Sequence, residues 1–338
     1  MNGSDASRIF AIAAGASVVL NSLTLTNAHS DANDWGGALV NSGTLALTNC
    51  TLAGNVVDGS GAGGAIENFG TLTLAGCTLS GNTAGFAGAI RNDSICTLQN
   101  CTCYNNVAPA NGGAIDNVFG ATLNLINCTF ADNSAGGLGG GIDNYLSTVN
   151  LTNCIVALNP SQDIYNWGAS TVNAGGSNLV VSLMNGGGTN NATASILAVD
   201  PQLAALGHYG GPTQTQPLLP GSPAIAAGLN SVTNFLTTDQ RGYPRLAGAH
   251  VDLGAVEGVY NPALPLDPPV RLGNGTFRFA FSNLGGPSYT VLAGTNIAAP
   301  LNTWSNLGAA VEAPPGKFQF TDPHAAIYPS RFYRVQGP

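Results

Sequence analysis

Apolar residues in the first half of the chain fall in short alternating runs, such as Thr71-Leu72-Thr73-Leu74, with no helical interval. The runs sit inside a repeat that opens at Gly36-Gly37-Ala38-Leu39, Gly63-Gly64-Ala65-Ile66, Ala87-Gly88-Ala89-Ile90, Gly112-Gly113-Ala114-Ile115 and Gly140-Gly141-Ile142. Each copy continues with an Asn (Asn41, Asn68, Asn92, Asn117, Asn144), an alternating strand, a Cys (Cys50, Cys77, Cys101, Cys128, Cys154) and a second Asn (Asn55, Asn82, Asn106, Asn133, Asn159). The Cys spacings are 27, 24, 27 and 26. Coils of this length, built from several strands of three to five residues, predict a three-sided right-handed parallel β-helix. The leucine-rich-repeat consensus, of similar length, does not fit.

Alternation places Leu45 and Leu47 inward and Ala46 outward. The Leu three residues before each Cys (Leu47, Leu74, Leu98, Leu125, Leu151) should therefore stack in the core. The Asn positions predict ladders that pass amide hydrogen bonds from coil to coil and satisfy buried turn backbone. A weaker copy opens the chain around Leu23-Thr24-Leu25-Thr26-Asn27-Ala28, and a decayed one is expected between Ile164 and Val181, giving about 6–7 coils. Length varies mainly between the second Asn and the next Gly, and a smaller insertion runs from Val118 to Ala121. One corner therefore carries variable loops, and in solenoids that face is often the binding face.

Composition agrees with an extended all-β protein. Of 338 residues, 8% are charged, 44% are hydrophobic and 46 are Gly. The net charge is −8 and the nine Lys and Arg residues form no stripe, which argues against nucleic acid as a partner. No apolar run is long enough for a transmembrane helix, so membrane insertion is not expected. Ile9 to Leu20 resembles a signal-peptide core only superficially and reads as the first coil, with a leader removed or upstream. A solenoid that starts so near Met1 presents an uncapped edge, from which self-association is expected.

Seven Cys is an odd number, so at least one is unpaired within the chain. Five occupy one ladder position, and Cys96 and Cys103 replace apolar residues at two other inward positions, which reads as a stack of buried thiols. The sequons Asn49-Cys50-Thr51, Asn100-Cys101-Thr102 and Asn127-Cys128-Thr129 fall on repeat positions, so the repeat explains them better than glycosylation.

The repeats give way to an ordered motif series: Asp200-Pro201-Gln202-Leu203, Gly210-Gly211-Pro212-Thr213-Gln214-Thr215, Gly221-Ser222-Pro223-Ala224-Ile225, Thr238 to Arg245, and Asp252-Leu253-Gly254-Ala255-Val256-Glu257. This series resembles the C-terminal signature of bacterial choice-of-anchor Q proteins, which look like pectin-lyase-like or polymorphic outer-membrane-protein-like β-helices. The resemblance implies secretion and surface display, without a defined catalytic activity. The expected organisation is a β-helix over 1–199, a cap of the helix over 200–258, a Pro-rich linker over 259–270 (Pro262, Pro265, Pro268, Pro269) and a small antiparallel β domain over 271–338. The last segment departs from the usual sorting anchors, and the alternation Phe277, Phe279, Phe281 marks one of its strands.

Candidate chemistry lies on the outward ladder after the Gly-Gly-Ala-Ile strand: Val40, Glu67, Arg91, Asp116, Asp143. Paired carboxyls suit glycoside hydrolysis, or lyase chemistry with a basic group or Ca2+. Relieving Asp116–Asp143 repulsion would take a shared proton or a cation. Against this, charges on a solenoid face are ordinary, no His joins the ladder, and only Arg8 and Arg91 precede residue 241 as basic residues. A second cluster, Asp239, Arg241, Arg245, Asp252 and Glu257, reads as a hydrogen-bonded knot closing the last coil. Trp167, Tyr209 and Tyr243 are candidates for stacking on sugars, and the four His residues show no metal spacing. The sequence therefore predicts a non-catalytic secreted or cell-surface β-helix for adhesion or contact with a polysaccharide or surface glycan. The alternative is a polysaccharide lyase or glycoside hydrolase using Asp116, Asp143, Glu67 and Arg91. No cofactor is expected beyond the Ca2+ just named.

Overall fold

The computed structural model describes residues 1–338 except 33, 192–195, 265, 274 and 338. Pro265 of the expected linker thus lies outside the described residues. Three eight-stranded parallel sheets run the length of the repeat region, and each coil adds one strand to each sheet. The first sheet holds the strands that follow Gly-Gly (Leu39–Asn41, Ile66–Asn68, Ile90–Asn92, Ile115–Val118, Ile142–Tyr145), and the second holds the alternating strands such as Thr71–Ala75. The third holds the strands after each Cys, such as Thr78–Ser80 and Thr129–Ala131. The decayed copy forms a regular coil (Ile164–Trp167, Thr171–Gly175, Asn178–Val180), and a shorter set of strands (Leu183–Gly186, Thr189–Asn190, Ile196–Leu197) follows it.

The expected register holds. Leu47, Leu74, Leu98, Leu125 and Leu151 are paired one above the other and buried. Cys96 stacks between Leu72 and Leu123, Cys103 between Leu79 and Phe130, and all seven thiols are free and buried. Ladder thiols accept from the main chain of the preceding coil, Cys77 Sγ from Cys50 N and Cys101 Sγ from Cys77 N, both at 3.4 Å. Burial pushes the thiols of Cys96, Cys101, Cys103 and Cys154 up, which keeps them protonated.

Both Asn ladders form. From Asn41 to Asn185 each Nδ2 donates to the next Oδ1 at 2.7–2.9 Å. From Asn55 to Asn159 each amide makes the same bond, and each main-chain N–H also donates to the next Oδ1. Asp163 ends this second ladder by accepting from Asn159 N and Nδ2.

Residues 200–258 build the expected knot, but along the side of the solenoid. They run back over the outer face of the third sheet. Gln240 Nε2 donates to Thr78 Oγ1 at 2.9 Å, Thr102 Oγ1 donates to Gln240 Oε1 at 2.6 Å, and Ala255 N donates to Thr129 Oγ1 at 3.0 Å. Ile155 and Leu179 pack there with Leu218, Ala224 and Leu253. The corner residues Asn100, Asn127 and Asn153 have left-handed φ of 51°, 49° and 54°, and their amides hold this strap. Two of the sequons thus consist of a left-handed corner Asn and an outward Thr that the strap uses.

Inside the knot, Arg245 is fully buried and donates to Asn100 Oδ1, Gly254 O and Ala255 O. Arg241 donates to Asp239 Oδ2, Glu257 O and Gly285 O, tying the strap to the C-terminal part. Within the expected linker, Tyr260 N donates to Leu218 O, and Asp267 N to Ala280 O. A four-stranded antiparallel sheet that includes Phe277–Ser282 and Lys317–Asp322, and a three-stranded one that includes Thr290–Gly294 and Phe332–Gln336, enclose Phe281, Tyr289 and Phe318.

Candidate functional site

Register pairs Val40 with Glu67, Glu67 with Arg91, Arg91 with Asp116, Asp116 with Asp143, and Asp143 with Tyr165 on successive coils. The four expected site residues are therefore brought together. They do not form the solvated ladder that exposed charges on a solenoid face would make. Glu67, Asp116 and Asp143 are 1%, 3% and 1% exposed. The cover is the Gly-Gly turn itself, which folds back across the outer face of the strand it precedes. Gly63 (φ 66°) and Gly112 (φ 68°) sit so close that a Cβ would lie 2.3 Å from Ile66 O and 2.7 Å from Ile115 O. Gly36, Gly63, Gly112 and Gly139 hold this turn with left-handed φ at little cost, and Ala87 adopts it at φ 54° in the coil that carries Arg91.

Arg91 is the hub of the cluster. Its Nε lies 3.9 Å from Glu67 Oε1 and 3.1 Å from Asp93 Oδ2, and its Nη1 lies 3.2 Å from Asp116 Oδ2. Asp143 accepts from Trp167 Nε1 at 2.8 Å and from Asn111 Nδ2 at 3.1 Å. Burial, with a hydrogen bond shared with Asp93, pushes Glu67 up to about 9. Burial also pushes Asp116 up to about 8 against the pull of Arg91, and Asp143 to about 6 despite its two donors. Glu67 and Asp116 therefore hold protons at neutral pH. Glu67 Oε2 and Asp116 Oδ1 are buried without a hydrogen-bond partner. General acid or base catalysis needs a carboxyl within hydrogen-bond reach of substrate, and these two oxygens are sealed from it in this conformation. Among the described residues no group of three or more His, Cys, Asp or Glu is arranged to hold a metal ion. The position between Glu67 and Asp116 is occupied by the Arg91 guanidinium.

Beside the cluster lie two groups of aromatic side chains along one line, separated at the coil that carries Arg91 and Asp93. Trp35 meets Phe69 edge to face at 5.4 Å, Phe119 meets Tyr145 at 5.9 Å, and Tyr145 stacks on Trp167 at 4.0 Å. Arg91 lies 5.7 Å from the Phe119 ring centroid. Trp35 and Phe119 are 50% and 62% exposed. Of the expected sugar-stacking residues, Trp167 belongs to this row, Tyr209 is buried against Tyr260, and Tyr243 lies under Arg241. Sequence reasoning missed Asp93 and most of the row, although the signal was present: an aromatic directly follows the ladder Asn at Phe69, Tyr145 and Trp167. His29, isolated in the sequence, bridges Asp5 and Asp58, which raise its pKa.

Stacked parallel coils, inward Leu and Cys columns and Asn ladders define a parallel β-helix repeat protein. Residues 11–179, half of the chain, match the family described as right handed beta helix region, and the chain belongs to that family. No curated protein and no solved structure matches it.

Proposed function

We propose that this chain is a non-catalytic β-helix protein, secreted or displayed on a bacterial cell surface, that holds an extended polysaccharide or surface glycan along its aromatic row. The row of Trp35, Phe69, Phe119, Tyr145 and Trp167 carries this reading. Its rings lie on coils two, three, five, six and seven, roughly 24 Å from end to end at ~4.8 Å per coil, with Arg91 of coil four against Phe119, and this length suits a chain of sugars rather than a single ring. Tyr145 and Trp167 cover each other's faces, and the exposed rings of Trp35, Phe69 and Phe119 present the rigid apolar area against which the apolar faces of sugars pack. The likeness of residues 200–257 to the choice-of-anchor Q series supports export and display. On this reading residues 1–199 and the strap over 200–258 form the displayed unit, and residues 271–338, joined through 259–270, form a second small domain.

The alternative is a polysaccharide lyase or glycoside hydrolase acting through Asp116, Asp143, Glu67 and Arg91. It draws on the raised proton affinities of Glu67 and Asp116, since perturbed carboxyls of this kind serve as acids in many active sites. It requires the Gly-Gly turns to open before any substrate reaches them. A screen of immobilised pectic, cellulosic and bacterial polysaccharides, with the products analysed in parallel, separates the two. Retention without new chain ends, lost on Trp35→Ala and Phe119→Ala together, is the expected result. Release of oligosaccharides, or retention indifferent to both substitutions, overturns the proposal.

A further inference from the structure

The charge of the chain is unevenly divided. Five of its nine Lys and Arg residues lie beyond residue 258, against three of its 17 Asp and Glu residues. The C-terminal sheets are thus the basic part of an acidic protein. Within them is a cavity of about 220 Å3 walled by Arg271, Phe277, Tyr328, Arg331 and Tyr333.

Arg331 is fixed in this wall. Its Nε pairs with Asp322 Oδ2 at 3.1 Å, and its guanidinium lies 4.1 Å from the Tyr328 ring centroid. Asp322 is itself held by Tyr333 OH at 2.8 Å and His324 N at 2.9 Å. The Arg331 side chain is only 10% exposed, yet its Nη1 has no hydrogen-bond partner. A charged donor kept from water without an acceptor is costly, and most buried donors have one. Nη1 is sealed as the side chain stands, so an anionic group entering the cavity supplies its acceptor with a small shift of the Arg331 side chain toward it. Arg271, on the exposed strand Val270–Arg271, adds a second positive charge to the same wall. The rings of Phe277 and Tyr333 lie parallel, 4.9 Å apart at 8°, and form an aromatic wall.

We propose that this cavity binds the carboxylate of a single acidic sugar residue of the uronate class, with the carboxylate at Arg331 and Arg271 and the ring against the aromatic wall. Guanidinium groups match carboxylates in shape and charge, and the cavity is smaller than those that enclose drug-sized ligands. This assignment rests on the residues of the cavity alone and stands apart from the aromatic row of the β-helix.

The test titrates the full chain with galacturonate and glucuronate, and with galactose, glucose, inorganic sulfate and an acetylated dipeptide as separate arms. Uronates are expected to bind about tenfold or more tightly than the neutral sugars, since a charge-assisted pair corresponds to at least that factor. Arg271→Gln should weaken uronate binding by about tenfold with no change in thermal midpoint, because that side chain is at the surface. Arg331→Met should abolish binding. If it unfolds the module, Arg271→Gln alone decides. Equal affinity for galactose and galacturonate, tighter binding of sulfate or of the dipeptide, or indifference to Arg271→Gln overturns the assignment.

Discussion

Replacing Asn106 by Ala cuts the buried amide ladder at its middle. Asn106 Oδ1 accepts from Asn82 N at 3.0 Å and from Asn82 Nδ2 at 2.9 Å, while its Nδ2 donates to Leu79 O at 3.0 Å and to Asn133 Oδ1 at 2.8 Å. After truncation Asn82 Nδ2 keeps Leu52 O, and Asn133 Oδ1 keeps the main-chain N–H of residue 106. The Asn82 main-chain N–H keeps nothing, and it is fully buried. An orphaned buried donor costs ~1–3 kcal/mol, and the lost bonds to Leu79 and Asn133 add roughly 1 kcal/mol each, so the variant should lose about 3–5 kcal/mol. Asn150 provides the control: it joins an outward Asn ladder on the second sheet, bonded to Asn124 and Asn173, but is only half-buried. There water replaces the lost partners, and Asn150→Ala should cost under about 1 kcal/mol. Urea unfolding followed by circular dichroism measures both. A midpoint for Asn106→Ala as high as that of Asn150→Ala would refute the argument that these amides satisfy the corner backbone.

Gly112→Ala should destabilise by about 1–2 kcal/mol, the cost of a Cβ at a left-handed φ of 68°, a conformation that Ala87 already adopts at the same turn position, read as a lower thermal midpoint. Glu67 and Asp116 bind protons more tightly folded than unfolded, so their contribution is fully present below their ordinary values of 4.5 and 3.8 and is lost as pH rises to about 9 and 8. Glu67→Gln, which mimics the protonated acid, should leave the midpoint little changed at pH 4 and raise it at pH 9; a midpoint lowered equally at both would contradict the buried-acid assignment. Arg245→Met strands three acceptors, Asn100 Oδ1, Gly254 O and Ala255 O, and should cost ~3–5 kcal/mol. Limited proteolysis should then cut within residues 200–258 before the coils, and an unchanged cleavage pattern would count against the strap being pinned by this guanidinium.

The solenoid was legible because its signals are periodic. Leu74 and Leu98 stack inward since both stand three residues before a Cys, and a fixed offset in a stacked repeat fixes a shared direction. Phe277, Phe279 and Phe281 likewise announced their strand by alternation. The candidate site was legible in position but not in environment. Register placed Glu67, Arg91, Asp116 and Asp143 on one outward column, yet whether that column meets water depends on a turn whose left-handed geometry alternation does not encode. The course of residues 200–258 was hidden for another reason. The segment has no repeat, and its anchors join residues far apart in sequence, such as Asn100 with Arg245 and Thr78 with Gln240. A motif series shows that such a segment is ordered, and only the partner side chains show where it lies.

The central claim is that the aromatic row makes contact with a glycan while the buried acids do no chemistry. It is tested most directly by calorimetric titration of a retained polysaccharide into the wild-type chain, Phe119→Ala and Asp116→Asn, with reducing ends followed over the same hours. The account predicts weaker binding for Phe119→Ala, wild-type binding for Asp116→Asn, and no new reducing ends in any sample. Cleavage by the wild-type chain that disappears in Asp116→Asn would contradict it and establish the enzyme instead.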